Sequence, residues 1–227
     1  MANLMEGKTD ICRLALIRHG ETEWNRDGRW QGHTDVPLSA VGRAQAARLA
    51  RRLTAVGCHF DALYASDQSR AWETANLLGG ALGLTPAAAP ALREINLGYW
   101  AGHTKQEIAS LYPAEWEQLE AGADIARGGG ETFGGFQNRI LEWLDPLIHK
   151  EVGRTVAVVT HGGVIRAILL HARGLAWKDR SRIPSIGNTS VSLVEIRDGT
   201  WKILAVGAFA EPEEAGSITP VNEGEVI

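Results

Sequence analysis

The sequence predicts an α/β fold: three layers, α/β/α, with a mostly parallel sheet and helices on both faces. Three observations predict it. Two unbroken apolar runs, Leu14-Ala15-Leu16-Ile17 and Val156-Ala157-Val158-Val159, read as strands buried on both faces. Helix-period segments alternate with strand-like runs along the chain, the pattern of strand–helix–strand units. Both apolar runs also end alike, in Arg18-His19-Gly20 and Thr160-His161-Gly162-Gly163. Ligands of open α/β sheets bind just beyond the carboxyl ends of strands, so each run is expected to deliver a histidine into one site.

Taken in order, residues 1–10 are polar and expected to form a flexible N-terminus, with no apolar stretch of the kind a signal peptide needs. The first strand is expected over about 12–18. Residues 19–38 read as loop, punctuated by Gly20, Asn25, Asp27-Gly28, Gly32 and Pro37. A loop that long in a compact domain is either functional or disordered, and Trp24 and Trp30 argue for order. Ser39 is an N-cap for a helix over about 39–55. Its apolar stripe is Gly42, Ala46, Leu49, Ala50 and Leu53, and Gly57 closes it. A short strand over 61–66 precedes a helix that Asp67 is expected to cap and Gly83 to end. Arg70 then sits in that helix's first turn, beside another strand's carboxyl end.

Residues 84–102 read as irregular, with Pro86 and Pro90. Residues 103–130 read as partly helical and then glycine-rich at Gly128, Gly129 and Gly130, giving a lid-like insert over about 103–133. A helix over 131–150 is expected to kink or end at Pro146. A strand over 154–160, a helix over about 163–173, and strands over 191–196 and 201–209 around the hairpin signal Asp198-Gly199 complete a single domain, 11–210. Residues 211–227 are expected to be a flexible, acidic tail.

Composition narrows the function. Hydrophobic residues make up 44% and charged residues 22%, ordinary for a globular domain. A net charge of -4 argues against a general nucleic-acid surface; Arg43, Arg48, Arg51 and Arg52 read as the solvated face of a helix. No apolar run approaches the roughly 18 residues of a membrane span. Two isolated cysteines, Cys12 and Cys58, have no metal-binding spacing and fit a reducing compartment, so a cytoplasmic location is expected.

The chemistry-bearing residues are Arg18, His19, Arg70, Glu94 and His161. Taken singly, each has a structural reading; together they would form a concentrated cationic pocket. Guanidinium forks suit phosphate oxygens, and a neutral histidine can act as a nucleophile toward phosphorus. A carboxylic acid can protonate the leaving oxygen and later deprotonate water; Glu94, between Leu92 and Ile95, is the candidate. Guanidinium groups can neutralise charge on the transferring phosphoryl group, so neither metal nor cofactor is expected. The sequence has no Walker loop, which disfavours a nucleoside triphosphatase of that kind. His33, His59, His103, His149 and His171 read as structural or surface residues. The eight tryptophans read as core and lid packing, with Leu97, Tyr99, Trp100 and Trp116 as candidates for a partly apolar pocket wall.

The ordered motifs resemble the phosphoglycerate-mutase-like branch of the histidine phosphatase superfamily. They are Arg18-His19-Gly20-Glu21-Thr22, Asn25, Gln31-Gly32, Asp35, Leu38-Ser39, Ser66-Asp67, Arg70-Ala71 through Glu73-Thr74-Ala75, Leu92-Arg93-Glu94, Gly98, Gly102, Gly129-Gly130-Glu131, Thr160-His161-Gly162-Gly163 and Asn188-Thr189-Ser190. The resemblance implies that His19 becomes a phosphohistidine and that Arg18, Arg70 and His161 hold the phosphate. It implies Glu94 as proton donor and later base, and Asn25, Gln31, Gly32 and Gly162 as further phosphate contacts. Relatives are often dimers, which makes a homodimer an expectation. Leu97 replaces the aromatic residue that cofactor-dependent mutases carry near the acid, and Arg127 stands without the neighbouring arginine that mutases use for the substrate carboxylate. Lys105 does match a mutase lysine. A metal-independent phosphatase of a small phosphomonoester is therefore expected; the alternatives are a cofactor-dependent phosphoglycerate mutase and a non-catalytic phospholigand-binding module. Substrate choice is expected to reside in 97–135.

Overall fold

The structure, a computed structural model, describes residues 10–209. The flexible ends expected over 1–10 and 211–227 lie outside the described residues, Asp10 excepted. Six strands form one sheet in the order β3-β2-β4-β1-β5-β6. They are β1 (Ile11–Arg18), β2 (Ala62–Ala65), β3 (Ala87–Ala88), β4 (Thr155–Thr160), β5 (Val191–Arg197) and β6 (Thr200–Ala208). β1, β2, β3 and β4 pair in parallel; β5 pairs antiparallel with both β1 and β6.

The near-continuous apolar character of β1 and β4 follows from cover on both faces. Alternate residues point opposite ways. Leu14, Leu16, Val156 and Val158 pack with Phe136, Ile140 and Leu144 of α6 (Phe133–Lys150) and Val164, Ile165 and Ile168 of α7 (Gly162–Ala172). Ala15, Ile17, Ala157 and Val159 pack with Leu49 and Leu53 of α2 (Ala40–Ala55) and Ala71, Ala75 and Leu78 of α3 (Ser69–Leu82). Each large aliphatic side chain so buried contributes about 1.5–3 kcal/mol. The two cores are the inner surfaces of three layers, as the sequence predicts.

Ser39 caps α2 as expected, its hydroxyl accepting from the Gly42 N–H, and the stripe from Gly42 to Leu53 is buried. Gly83 closes α3 in the left-handed conformation. Asp198 and Gly199 both have positive φ, as the mirror-image hairpin turn requires.

Local expectations fail at several places, each for a tertiary or solvation reason. Asp67 does not cap α3. Its carboxylate is held instead by Arg93 (Nε 2.7 Å, Nη2 2.5 Å), while Asp35 Oδ1 accepts from the Ser69 N–H at 2.8 Å. α6 runs through Pro146 to Lys150. Pro146 is exposed, on the helix's solvent side, where water can satisfy the carbonyl that its missing N–H would have met. The loop over 19–38 contains a one-turn helix, α1 (Glu23–Arg26), closed by reciprocal Thr22–Asn25 capping. Residues 103–133, expected to be partly helical and then glycine-rich, do contain α4 (Lys105–Leu111), α5 (Pro113–Glu120) and a 3₁₀ turn, Arg127–Gly129.

Candidate active site

Strand register builds the site. Arg18 of β1 lies opposite Thr160 of β4, and Ala65 of β2 opposite Val159. Because the three strands are parallel, His19, Ser66 and His161 emerge together at one sheet edge. The two imidazoles lie 5.1 Å apart, edge to face. The chain after His19 runs directly over α2: a Cβ on Gly20 would stand 2.4 Å from the Gly42 carbonyl oxygen, and one on Gly42 would stand 2.0 Å from that of Glu21. Close backbone approach explains glycine at both positions.

His19 is buried, and its Nδ1 lies 2.7 Å from the Gly20 carbonyl oxygen. A carbonyl can only accept, so Nδ1 carries the proton and Nε2 the lone pair. Burial first, then the Arg70 and Arg18 charges, hold this imidazole well below its ordinary pKa. His161 is fully buried and depressed in the same direction, mainly by burial and by Arg70. Its Nε2 lies 2.9 Å from Ser66 Oγ, and its Nδ1 has no hydrogen-bond partner.

These depressions have a sign for stability. Below about pH 6.5 an unfolded imidazole binds a proton that the folded one refuses, so stability is full above that pH and falls below it. The expected slope is up to about 1.4 kcal/mol per pH unit for each ring; His33 and His171, also depressed by burial, add in the same direction. Urea midpoints on either side of about pH 6.5 check it. The variant His19→Asn should flatten the slope, and an unchanged slope would show that His19 titrates normally.

Arg70, 1% exposed, donates from Nη1 to the Thr34 carbonyl and from Nη2 to the Gly32 carbonyl, each at 2.9 Å, and its Nε is unpartnered. It therefore orders the loop over 19–38 while facing the site. Arg18 donates from Nη1 to the Ile186 carbonyl at 2.6 Å. Gln68 ties the parts together: its Nε2 donates to the Gly32 carbonyl, and its Oε1 accepts from the Glu94 N–H at 3.0 Å.

Glu94 sits between the 3₁₀ turns Pro90–Leu92 and Gly98–Trp100. Its carboxylate accepts from the Ile95 N–H through Oε1 at 2.9 Å and from the Gly163 N–H through Oε2 at 3.0 Å. Arg139 braces this segment from α6, donating to the Ala91 carbonyl at 2.6 Å and pairing twice with Glu131, which accepts the Asn96 N–H.

A cavity of about 330 Å³ collects Arg18, His19, Asn25, Gln31, Gly32, Arg70, Glu94 and Gly162 in its wall. Of the nine residues the sequence points to, only His161 is absent from that wall; it is fully buried, its ring centre 5.1 Å from that of His19. Gln31 Oε1 is buried without a partner. Gly162 opens α7, whose first N–H groups and dipole favour an anion. Among the described residues, no three His, Cys, Asp or Glu side chains gather as a metal-ligand set.

The expected apolar wall is corrected. Leu97 lines the cavity, but Tyr99 is exposed and bonded to Glu115, Trp100 is core, and Trp116 packs on Trp30 and Trp100 with Lys105 over its ring. The aromatic wall comes instead from Trp30, Phe133, Phe136 and Trp177. Arg127 and Arg166, the latter on α7, also line the cavity; the cation that acts on Arg127 is Arg180. Arg166 lies four residues after Gly162, on the same helix face, and that spacing was the readable signal. Gln68 and Trp177 carried no signal in the sequence.

Residues 14–208 match the profile of the histidine phosphatase superfamily, branch 1. The chain is 36% identical over 212 residues to phosphoglycerate mutase-like protein 4 of Arabidopsis thaliana, covering 91% of this chain and 90% of that one. It is 33% identical over 199 residues to the metal-independent phosphoserine phosphatase of the same organism, covering 86% and 81%. The solved structure of a mycobacterial glucosyl-3-phosphoglycerate phosphatase resembles it with a TM-score of 0.78 at 30% identity, covering 88% of this chain and 99% of that one.

Proposed function

Since the chain belongs to branch 1 of the histidine phosphatase superfamily and is a phosphatase, we propose that it hydrolyses a small phosphomonoester through a phosphohistidine formed on His19. The observation that carries this is the His19 tautomer. A buried neutral ring fixed through Nδ1–H to the Gly20 carbonyl leaves Nε2 as an unprotonated nucleophile beside two arginines.

Two steps balance. His19 Nε2 bonds to phosphorus as the P–O ester bond breaks, and Glu94 gives its proton to the departing alkoxide. The Glu94 carboxylate then takes a proton from water, the hydroxide bonds to phosphorus, and the N–P bond breaks to release inorganic phosphate. Arg18, the Nε of Arg70 and the Gly162 N–H face the phosphoryl oxygens and offset their charge as it redistributes. Asn25 and Gln31 add polar contacts from the loop over 19–38. The unpartnered Nδ1 of His161 supplies one more hydrogen bond when the group is bound. No step calls on a metal, because guanidinium groups carry that role.

Location is read in the same way. No helix among the described residues is long and apolar enough to cross a membrane. Cys12 and Cys58 are free thiols, as a reducing compartment would keep them, and we place the reaction in the cytoplasm. The test is a rapid acid-free quench of turnover in the presence of EDTA, followed by mapping of phosphorylated peptides. The expected result is one phosphoryl group on the peptide carrying His19, with free phosphate formed in step with alcohol. Phosphoryl transfer from 2,3-bisphosphoglycerate to monophosphoglycerate in excess of free phosphate would favour a mutase instead.

A further inference from the structure

We propose that Gln68 is a positioning residue for the proton transfer: its side-chain amide locks the Glu94 segment, the Arg70 guanidinium and the loop over 19–38 into one arrangement, and so sets where the acid stands relative to the phosphoryl group. This rests on the reading of Glu94 as the acid.

Gln68 is 5% exposed and takes no part in the cavity wall, so it acts through other residues and not on the substrate. Its side-chain bonds all reach groups that do face the site. Oε1 accepts from the Glu94 N–H at 3.0 Å and from Arg70 Nη2 at 3.3 Å, while Nε2 donates to the Gly32 carbonyl at 3.0 Å. Arg70 Nη2 donates to that same carbonyl at 2.9 Å. The amide cannot be turned round. Reversal would set its NH2 against the N–H groups of Glu94 and Arg70, and its oxygen against the Gly32 oxygen. A carboxylate in its place would keep the two accepted bonds and lose the donated one; a hydrocarbon would lose all three.

The backbone of Gln68 is held independently. Its carbonyl accepts from the Ala71 and Trp72 N–H groups in the first turn of α3, and its N–H donates to Ser66 Oγ at 3.3 Å. The amide therefore carries the rigidity of a helix to an acid that sits in irregular chain between two 3₁₀ turns. Gly32 is seated against the same segment, where a Cβ would stand 3.1 Å from the Ile95 carbonyl oxygen. Without the amide, the Glu94 N–H loses its acceptor and the segment must shift to find another. A displacement of about 1 Å at a reacting group can cost about 10²-fold in rate.

The test is the single-turnover rate of alcohol release from propyl phosphate and from p-nitrophenyl phosphate, compared as a ratio. Only the propoxide needs the proton, and partial misfolding scales both esters together. In Gln68→Met, which keeps length but no polar atom able to replace the amide, the propyl-to-nitrophenyl ratio should fall about tenfold or more. In Gln68→Glu the ratio should stay within about threefold of the parent, because the acceptor for the Glu94 N–H survives. Inorganic phosphate should there bind about tenfold more weakly, since a carboxylate beside Arg70 offsets its charge. Equal slowing of both esters in Gln68→Met, or a ratio in Gln68→Glu that falls as far as in Gln68→Met, would overturn the assignment and leave the phosphatase reading standing. Equal slowing of both esters in Glu94→Gln would overturn the acid reading itself, and this assignment with it.

Discussion

Replacing His19 with alanine should reduce kcat by about 10⁴-fold or more while the protein still folds and still binds inorganic phosphate. The two halves of that expectation have separate causes. Turnover depends on Nε2: the other phosphate-facing side chains, Asn25, Gln31 and the guanidinium groups, are not nucleophiles, and Glu94 serves as the acid. Folding depends little on this ring. Its loss removes one hydrogen bond, to the Gly20 carbonyl, worth about 1 kcal/mol net, and it relieves a buried imidazole of two cationic neighbours. Phosphate binding rests on Arg18, Arg70 and the start of α7, all of which remain. Single-turnover kinetics and phosphate calorimetry on the same preparation check both halves. Activity within about tenfold of the parent would move the nucleophile elsewhere. Loss of phosphate binding together with activity would mean that the ring organises the pocket rather than reacting in it.

What could be read in advance followed a physical division. β1 and β4 were legible because a strand buried on both faces is apolar at every position. Their shared ending in His-Gly was legible because parallel register must bring the two ends to one edge. Asp198-Gly199 announced its turn because few other residues tolerate positive φ there. Failures arose wherever a long-range partner decides. Asp67 has the chemistry of a cap but finds Arg93, 26 positions away, at 2.7 Å. Pro146 would end a helix in isolation, yet its outward position lets α6 continue. Trp100 and Trp116 carry no mark to separate a core ring from a pocket ring, whereas Trp177, which does line the cavity, lies in a 3₁₀ turn with no periodicity to read. Arg127 is the sharpest case. On local sequence it is a lone cation before three glycines; only Trp177, 50 residues later, turns it into a buried, flat donor edge.

The second large effect concerns Glu94, and it separates the two steps that this carboxylate serves. In Glu94→Gln, transfer from an alkyl phosphate should slow by about 10²–10⁴-fold, because an alkoxide cannot leave without a proton. With p-nitrophenyl phosphate the phenolate leaves unaided. A burst of nitrophenol close to one equivalent should therefore appear at nearly the parent rate, followed by a slow steady state, since the phosphoenzyme still needs a base to activate water. Equal slowing of the first step for both esters would remove Glu94 from the acid role. Glutamine is an imperfect probe, however. Both carboxylate oxygens accept backbone N–H groups, from Ile95 and Gly163, and an amide has one accepting oxygen only. Gly163→Ala avoids that difficulty. A Cβ at position 163 would stand 2.1 Å from Glu94 Oε1, and the neighbour that must give way is the end of a flexible side chain. Alanine is a better helix former than glycine by about 0.5–1 kcal/mol, so α7 should tolerate it without loss of thermal stability. The displaced carboxylate should reproduce the pattern of Glu94→Gln, a burst with the nitrophenyl ester and none with the alkyl ester, although the acid itself is still present. Full alkyl phosphatase activity in Gly163→Ala would mean that the position of Glu94 against α7 is not the one from which it donates its proton.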